Sequence, residues 1–491
     1  MKPMTDRNTI AAVSTPAGTG GIAVLRLSGP RALEIAQSVW RGRSLMDAPA
    51  NTVRVGEIVT SGGDTLDQAV ATVFRTPHSF TGEDTVEFSI HGSPWLQREV
   101  LARLLEAGAE AAGPGEFSRR AVMNGRMDLA QAEGVADMIA VSSRAAHRLA
   151  ATQMKGGFSR RLDALRGRLV ELASLLELEL DFSEEDVEFA DRRRLTDLCS
   201  SAGTEVKRLA DSFRRGRVLK EGVAAVIAGV PNAGKSTLLN RLLDDDKAIV
   251  SDIPGTTRDV IEDTAEIDGI LYRFIDTAGL RDSTDTIERI GIERANARIA
   301  SADILLWIFD PTSPMPLQLS AYRETLSLLP PDTPVIRVLN KADLTSGGSV
   351  SQADIISGVS VTQADIISGV SVTQADISSG MSVTQADEAI IPISAETGEG
   401  VELLLKALRD AVTEGRDLSA DLIVTNARHY DALRHTASAL DRVGSALAAS
   451  LAADLIAQDL REAIHHLGLI TGAITTDTIL HTIFERFCIG K

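Results

Sequence analysis

Apolar positions change their spacing twice along this chain. Over the first ~120 residues, short apolar runs alternate with polar turns, the texture of a mixed α/β region. Gly21 to Leu27 (GIAVLRL), Ala69 to Phe74 and Thr85 to Ile90 predict strands, and Trp95 to Ala107 has helical spacing. From Gly125 the texture becomes helical. Leu162, Leu165, Leu169, Leu172, Leu176 and Leu180 recur every three or four residues, as on one stripe of a long helix. The acidic segment Asp181 to Glu188 interrupts that stripe, and Leu195, Leu198, Val206 and Leu209 resume it. Past Asn426 a second helical region follows, with Leu433, Leu440, Val443, Leu447, Leu451 and Leu455 at similar spacing. Between the two lie apolar strands at Ala225 to Gly229, Tyr272 to Ile275, Val335 to Leu339 and Ile390 to Ile393. The economical organisation is one helical domain with an α/β domain inserted, an arrangement tolerated because the termini of a domain often lie close together.

One segment breaks the pattern. An 11-residue unit recurs from Ser349, Ser360 and Ser371, and a truncated copy starts at Ser382. Its glycine, serines and β-branched residues make a poor helix. It predicts a tandem duplication in a surface loop, without a chemical role.

Composition narrows the picture only slightly. A chain of 491 residues with 44% hydrophobic and 24% charged residues fits a globular protein of two to four domains. No apolar run approaches the roughly 18 residues needed to span a bilayer. Met1 to Arg26 has no signal-peptide core, which predicts a cytoplasmic protein. Cys199 and Cys488 form no metal-ligand spacing, and Cys199 falls on a helical stripe that predicts a core position. The net charge of −18 argues against broad nucleic-acid binding. Local basic clusters, Arg160/Arg161/Arg166/Arg168 and Arg214/Arg215/Arg217/Lys220, read as solvated helix faces or as local patches.

The candidate chemistry lies in the inserted domain. The strand Ala225 to Gly229 runs into Gly229-Val-Pro-Asn-Ala-Gly-Lys-Ser236, a GxxxxGK[ST] phosphate loop. Its glycines let backbone N–H groups approach phosphate oxygens. Lys235 brings charge to the β/γ-phosphates, Ser236 offers a hydroxyl to Mg²⁺, and the helix starting near Thr237 adds its positive end. Asp276-Thr277-Ala278-Gly279 follows a strand, Asp276 suiting the Mg²⁺ shell and the Gly279 N–H the γ-phosphate. Asn340-Lys341-Ala342-Asp343 follows another; a carboxylate there accepts from N1–H and the 2-amino group of guanine, which adenine cannot match. Ser394-Ala395-Glu396 fits the loop behind the base. Four motifs in this order specify a GTPase. Leu280, after Gly279, cannot orient a water, so another group must do so. Asn232 has two readings: an oxygen ligand for a monovalent cation beside the phosphates, or a brace for the loop.

With these motifs the inserted domain resembles Era-like GTPases, and the flanks resemble the MnmE/TrmE family of tRNA-uridine-modification GTPases. The resemblance covers nearly the whole chain except the repeat. It is carried by Ser79-Phe-Thr-Gly-Glu-Asp84, Pro114-Gly-Glu-Phe117, Asn124 to Glu133, Gly255-Thr-Thr-Arg-Asp259, Asp276 to Arg281, Ile290 to Ala295 and the tail Phe487-Cys-Ile-Gly-Lys491. It implies an α/β and α fold with three parts. These are an N-terminal α/β tetrahydrofolate-binding and dimerisation domain (1–120), a discontinuous helical domain (121–220 plus 418–491), and an inserted Ras-like P-loop GTPase domain with a doubly wound sheet (221–417), carrying the repeat at 349–387.

The resemblance further implies a homodimer that forms a heterotetramer with an FAD-containing MnmG-type protein. That complex adds an aminomethyl or carboxymethylaminomethyl group to C5 of the wobble uridine of certain tRNAs, with no membrane involved. The one-carbon unit comes from 5-formyl- or 5,10-methylene-tetrahydrofolate, and hydrolysis of GTP is potassium-stimulated. Residue by residue, Ser236 and Thr257 match Mg²⁺ ligands, and Asn232, Ser251, Ile253 and Thr256 match the K⁺ site. The switch residues Asp252, Pro254 and Gly255 join the GTP contacts, and Glu288 matches the glutamate that orients the attacking water. Arg26, Glu87, Arg126 and Lys491 match folate contacts; Arg126 stands where relatives often carry lysine. Placing Lys491 there requires the final helix to deliver the tail to an N-terminal domain, expected to be that of the other subunit. Cys488 has two readings, a nucleophilic thiol or packing beside the folate. Rival functions are an Era-like switch in ribosome assembly and a dimer scaffold with vestigial hydrolysis.

Overall fold

A computed structural model describes residues 8–181, 192–244, 263–276, 287–344, 390–413, 423–449, 451–474, 480, 483–484, 487 and 490. The chain divides into two units, one of Met1–Ile139, Ala150–Lys207 and Asp431–Lys491, the other of Ala140–Leu149 and Arg208–Tyr430. The repeat, the segment from Ser251 to Thr257, Thr277 to Gly279, Leu280, Cys488 and Lys491 lie outside the described residues, as does the acidic interruption beyond Asp181.

The first unit opens with a seven-stranded sheet ordered β3-β4-β5-β6-β2-β1-β7. Its strands are β1 (Ile10–Val13), β2 (Ile22–Ser28), β3 (Trp40–Gly42), β4 (Thr52–Val59), β5 (Thr65–Phe74), β6 (Thr85–His91) and β7 (Glu110–Ala111). All neighbours are antiparallel except the β1–β7 pair. Strand residues alternate, as an antiparallel sheet covered on one face requires: Leu25 and Leu27 of β2 join Val86, Phe88 and Ile90 in the core beneath helices α1 (Ala32–Ser38) and α2 (Pro94–Glu106). Arg26 and Glu87 therefore point to the opposite face, paired across β2 and β6.

Helices α3 (Glu116–Met123) and α4 (Leu129–Ile139) follow, then α5 (Arg144–Met154), α6 (Gly157–Asp181) and α7 (Arg192–Asp211). The leucine stripe of α6 is buried from Leu162 through Leu176. The later stripe holds for Leu433, Leu440, Val443 and Leu447 but not for Leu451 and Leu455, which are exposed. The reason is a helix break that the spacing concealed: α13 (Ala427–Ala448) ends first, and α14 (Ala453–Thr471) starts in a new phase that buries Ile456, Leu460 and Leu467 instead. Cys199 is a core residue; burial pushes its thiol up to about 11, and it donates to the Leu440 carbonyl. The basic clusters are not simply solvated faces: Arg161 and Arg168 both clamp Glu205, and Arg217 pairs with Asp303 at 3.1 Å.

The second unit carries a six-stranded sheet ordered β13-β12-β11-β8-β10-β9. Its strands are β8 (Val223–Gly229), β9 (Asp263–Ile267), β10 (Ile270–Asp276), β11 (Ile304–Phe309), β12 (Val335–Leu339) and β13 (Ile390–Pro392). Only β9 runs antiparallel to its neighbour. Both faces are covered, so β8 and β11 are apolar and buried almost throughout. The helices of this unit are α8 (Phe213–Glu221), α9 (Lys235–Asp244), α10 (Ile287–Ala300), α11 (Met315–Leu326) and α12 (Val401–Thr413). Among the described residues no helix is long and apolar enough to cross a membrane.

Candidate functional site

Ligand sites in parallel sheets form beyond the carboxyl ends of the strands. Here the loops after β8, β12 and β13 meet the end of β10 at that edge. The turn from β8 into α9 is the phosphate loop. Its Lys235, 6% exposed, folds back so that the ammonium donates to the carbonyls of Gly229 at 3.0 Å and Val230 at 2.9 Å. Asn232 stands exposed at the crest in a left-handed conformation, φ 63°. Ala233 is buried, and Thr237 faces solvent on α9. At the start of α9 the Ser236 hydroxyl donates to Asp276 Oδ2 at 2.9 Å. A hydroxyl and a carboxylate so placed are the oxygen donors a hard divalent cation takes.

Asn340 joins the two halves of the site. Its Nδ2 donates to the Ala233 carbonyl at 2.8 Å, and its Oδ1 accepts from the Ala395 N–H at 3.0 Å. One buried amide thus ties the phosphate loop to both loops expected around the base. Gly234 faces that amide with φ +89°, and a Cβ there would collide with Asn340 Nδ2, so glycine is required on two counts. Ser394 is fully buried and accepts through its hydroxyl from the Thr397 N–H, which shapes the loop after β13. Asp343 is exposed, in the short helical turn Ala342–Leu344.

Three contributors to this architecture were not legible as motifs. Arg241 of α9 donates to the carbonyls of Ala395 and Glu396. Asp310, at the end of β11, pairs with Lys341 at 2.7 Å. Burial opposes its charge, but hydrogen bonds from Lys341 and Thr312, with the Lys341 charge, hold the carboxyl below the usual carboxylate range. Gln318 of α11 holds the Asp310 backbone. The available signal was a polar residue at the carboxyl end of an apolar parallel strand. Glu288 falls in the first turn of α10, where side chains lie outside the described residues.

The second candidate site lies on the outward face of the seven-stranded sheet. Arg26 Nε donates to Glu87 Oε1 at 2.8 Å, and the guanidinium sits 5.0 Å from the Phe80 ring centroid and 5.5 Å from that of Phe117. A charged couple on an aromatic bed suits a flat heterocycle with N–H donors and an anionic tail. Arg126 is exposed, and its stem lies over Gly82. A part-buried network braces this region: Arg120 donates to Glu83 and Glu116, Ser28 donates to Glu83, and Asn124 donates to the Thr81 carbonyl.

Near the tail, Gly490 lies against Val13 and Ser14, and the Ser14 hydroxyl donates to its carbonyl at 3.0 Å. Its φ is +97°, and a Cβ there would collide with the Val13 carbonyl, so the close approach requires glycine. Nearby, Phe484, 1% exposed, and Phe487 pack over Gly115.

The family model for the MnmE helical domain matches residues 129–488, and that for the GTP-binding protein TrmE N-terminus matches residues 9–126. The tRNA modification GTPase MnmE of Cytophaga hutchinsonii is 45% identical over 99% of this chain and 98% of its own length. That of Parabacteroides distasonis is 44% identical over 99% of this chain and 100% of its own. Among solved structures, a variant of Aquifex aeolicus Era bound to GDP.AlF4- matches at 26% identity, covering 44% of this chain and 66% of that one, with a TM-score of 0.26. With relatives of this identity along its full length and a family model over most of it, the chain belongs to the MnmE/TrmE family.

Proposed function

We propose that this chain is a cytoplasmic GTPase of tRNA modification. With an FAD-containing MnmG-type partner it adds an aminomethyl or carboxymethylaminomethyl group to C5 of the wobble uridine of certain tRNAs. The observation that carries the reading is the Asn340 joint, which assembles the phosphate loop, the Asn340–Asp343 loop and the Ser394–Ala395 loop at one sheet edge. The name of the relatives, tRNA modification GTPase, supports the process.

Each residue then has a task. Lys235, held in waiting by two loop carbonyls, exchanges them for the β/γ-phosphate oxygens, and the N–H groups from Asn232 to Thr237 cradle the same phosphates. Ser236 and Asp276, with Thr257, would hold Mg²⁺, which neutralises charge on the phosphoryl oxygens when bound. Asn232, with Ser251, Ile253 and Thr256, would hold K⁺. Glu288 orients the attacking water, a task Leu280 cannot perform. Asp343 accepts from guanine. On the N-terminal sheet, Glu87 accepts from the pterin N–H groups, while Arg26, Arg126 and Lys491 meet the folate's carboxylates. The protein works as a homodimer within a heterotetramer.

The test is mass analysis of wobble nucleosides in tRNA from cells lacking this chain. The modified uridine should vanish and return with the wild-type chain but not with Lys235→Ala. Normal wobble nucleosides together with defective ribosome assembly would favour the Era-like switch instead.

A further inference from the structure

Asp310 is one residue past a fully buried strand and is itself 1% exposed. Its Oδ1 accepts from the Thr312 N–H at 2.9 Å and the Thr312 hydroxyl at 2.6 Å, and its Oδ2 accepts from the Ser313 hydroxyl at 3.2 Å. The backbone is held as firmly. Buried Gln318 accepts from the Asp310 N–H at 2.9 Å and donates to its carbonyl at 2.7 Å. Into this prepared anion reaches the Lys341 ammonium, 2.7 Å from Oδ2. A buried carboxylate requires such a partner. The lysine backbone is equally constrained, at φ 59° in the left-handed region.

Lys341 is therefore fixed at both ends, its methylene stem held between a defined backbone and a defined anion. It sits between Asn340 and Asp343 in the loop read as the guanine-binding loop. An alkyl stem fixed at both ends is an apolar surface that suits a purine face. A lysine free to rotate would lose its rotamer freedom on binding.

We propose that Asp310 is a positioning residue for nucleotide binding: it holds Lys341 as a preformed platform for the purine and so sets the affinity for guanine nucleotides without touching them. This rests on the reading of the site as a GTP site. A residue that only braced the loop after β11 would act regardless of what stands at position 341, whereas a positioning residue loses its effect once the lysine is gone.

The test is calorimetric titration of the full chain with GDP and ADP, for wild type, Asp310→Asn, Lys341→Met and the double variant, with steady-state GTP hydrolysis alongside. Asp310→Asn should weaken GDP binding about tenfold, the scale of a lost charge-assisted contact. KM for GTP should rise in step while kcat changes by less than about twofold. In the Lys341→Met background Asp310→Asn should cost nothing further. No loss with Asp310→Asn, or a tenfold loss that persists without Lys341, overturns the inference. If Asp310→Asn does not fold, Thr312→Val removes the hydroxyl contact to Oδ1 and should weaken GDP by about threefold; unchanged affinity there overturns it equally. A wild type that binds ADP as tightly as GDP overturns the GTP reading and this inference together, which separates the two kinds of failure.

Discussion

At the carboxyl end of the six-stranded sheet, the candidate chemistry is carried by contiguous segments. On the face of the seven-stranded sheet it is carried by single residues from separate elements. The difference follows from the sheets. Parallel strands all point one way, so the loops after β8, β12 and β13 and the end of β10 converge at one edge and each loop can supply several groups. Antiparallel strands present alternate side chains to a face, so β2 offers Arg26 and β6 offers Glu87, one position each. Backbone amides do much of the binding in the first arrangement and side chains in the second. If that is right, the two sites should fail separately and by different mechanisms.

The largest expected effect tests that separation. Lys235→Ala should lower GTP hydrolysis by about 10²–10³-fold, the scale for removing one preorganised charge from a developing anion. Titration of the same variant with 5-formyltetrahydrofolate should match wild type. A parallel loss of folate affinity would show that the two regions are one coupled site and break the comparison.

Next in size is the anchor of the tail. Phe484 is buried against Leu129, Ala132 and Leu480, and Phe484→Ala should cost about 3 kcal/mol in urea unfolding of the unit that holds it. Folate binding should suffer with it, because the tail that reaches Ser14 depends on this side chain, whereas GDP affinity should hold. Full folate affinity in a destabilised Phe484→Ala protein would mean that the tail plays no part in the second site.

Legibility in the sequence followed the same division. The phosphate loop and Asn340–Asp343 were readable because each is a local run whose spacing is dictated by phosphate or guanine. Asp310, Arg241 and Gln318 act on those runs from other elements, and no spacing marks them. Strand β11 escaped as a strand because a short, wholly apolar run cannot be told from buried helix by periodicity. Strand β4 escaped because Val53 and Val55 are exposed, so its apolar residues do not mark a core face. Leu451 and Leu455 continued a leucine spacing by accident, across a break between α13 and α14. Arg26 and Glu87 were found only through the family resemblance; alone, each is an ordinary strand residue.

A smaller effect sharpens the account of the phosphate loop. Asn232 is exposed in the left-handed region, a conformation asparagine tolerates, which is compatible with both a brace and a cation ligand. GTP hydrolysis should be about tenfold faster in K⁺ than in Na⁺, and Asn232→Ala should remove the difference. Equal rates in the two salts would leave Asn232 as a brace.

The smallest effect on stability should come from the sheet-face couple. The side chains of Arg26 and Glu87 are 18% and 25% exposed, and their contact is a single hydrogen-bonded ion pair. Water still competes for both charges, so the pair is worth less than about 1 kcal/mol, and Glu87→Gln should barely move the unfolding midpoint. Its effect on ligand should be larger than its effect on folding. A carboxylate accepts from two N–H donors of a pterin, whereas the glutamine amide offers one acceptor and turns a donor toward them. Affinity for 5-formyltetrahydrofolate should therefore fall by about fivefold or more. Arg26→Ala would confuse the result, since it also uncovers the Phe80 and Phe117 rings. If Glu87→Gln instead lowers the unfolding midpoint and leaves folate affinity intact, the couple is a structural strut. The outward face of the seven-stranded sheet would then be no binding site, and the contrast between the two sheets would reduce to one site and one scaffold.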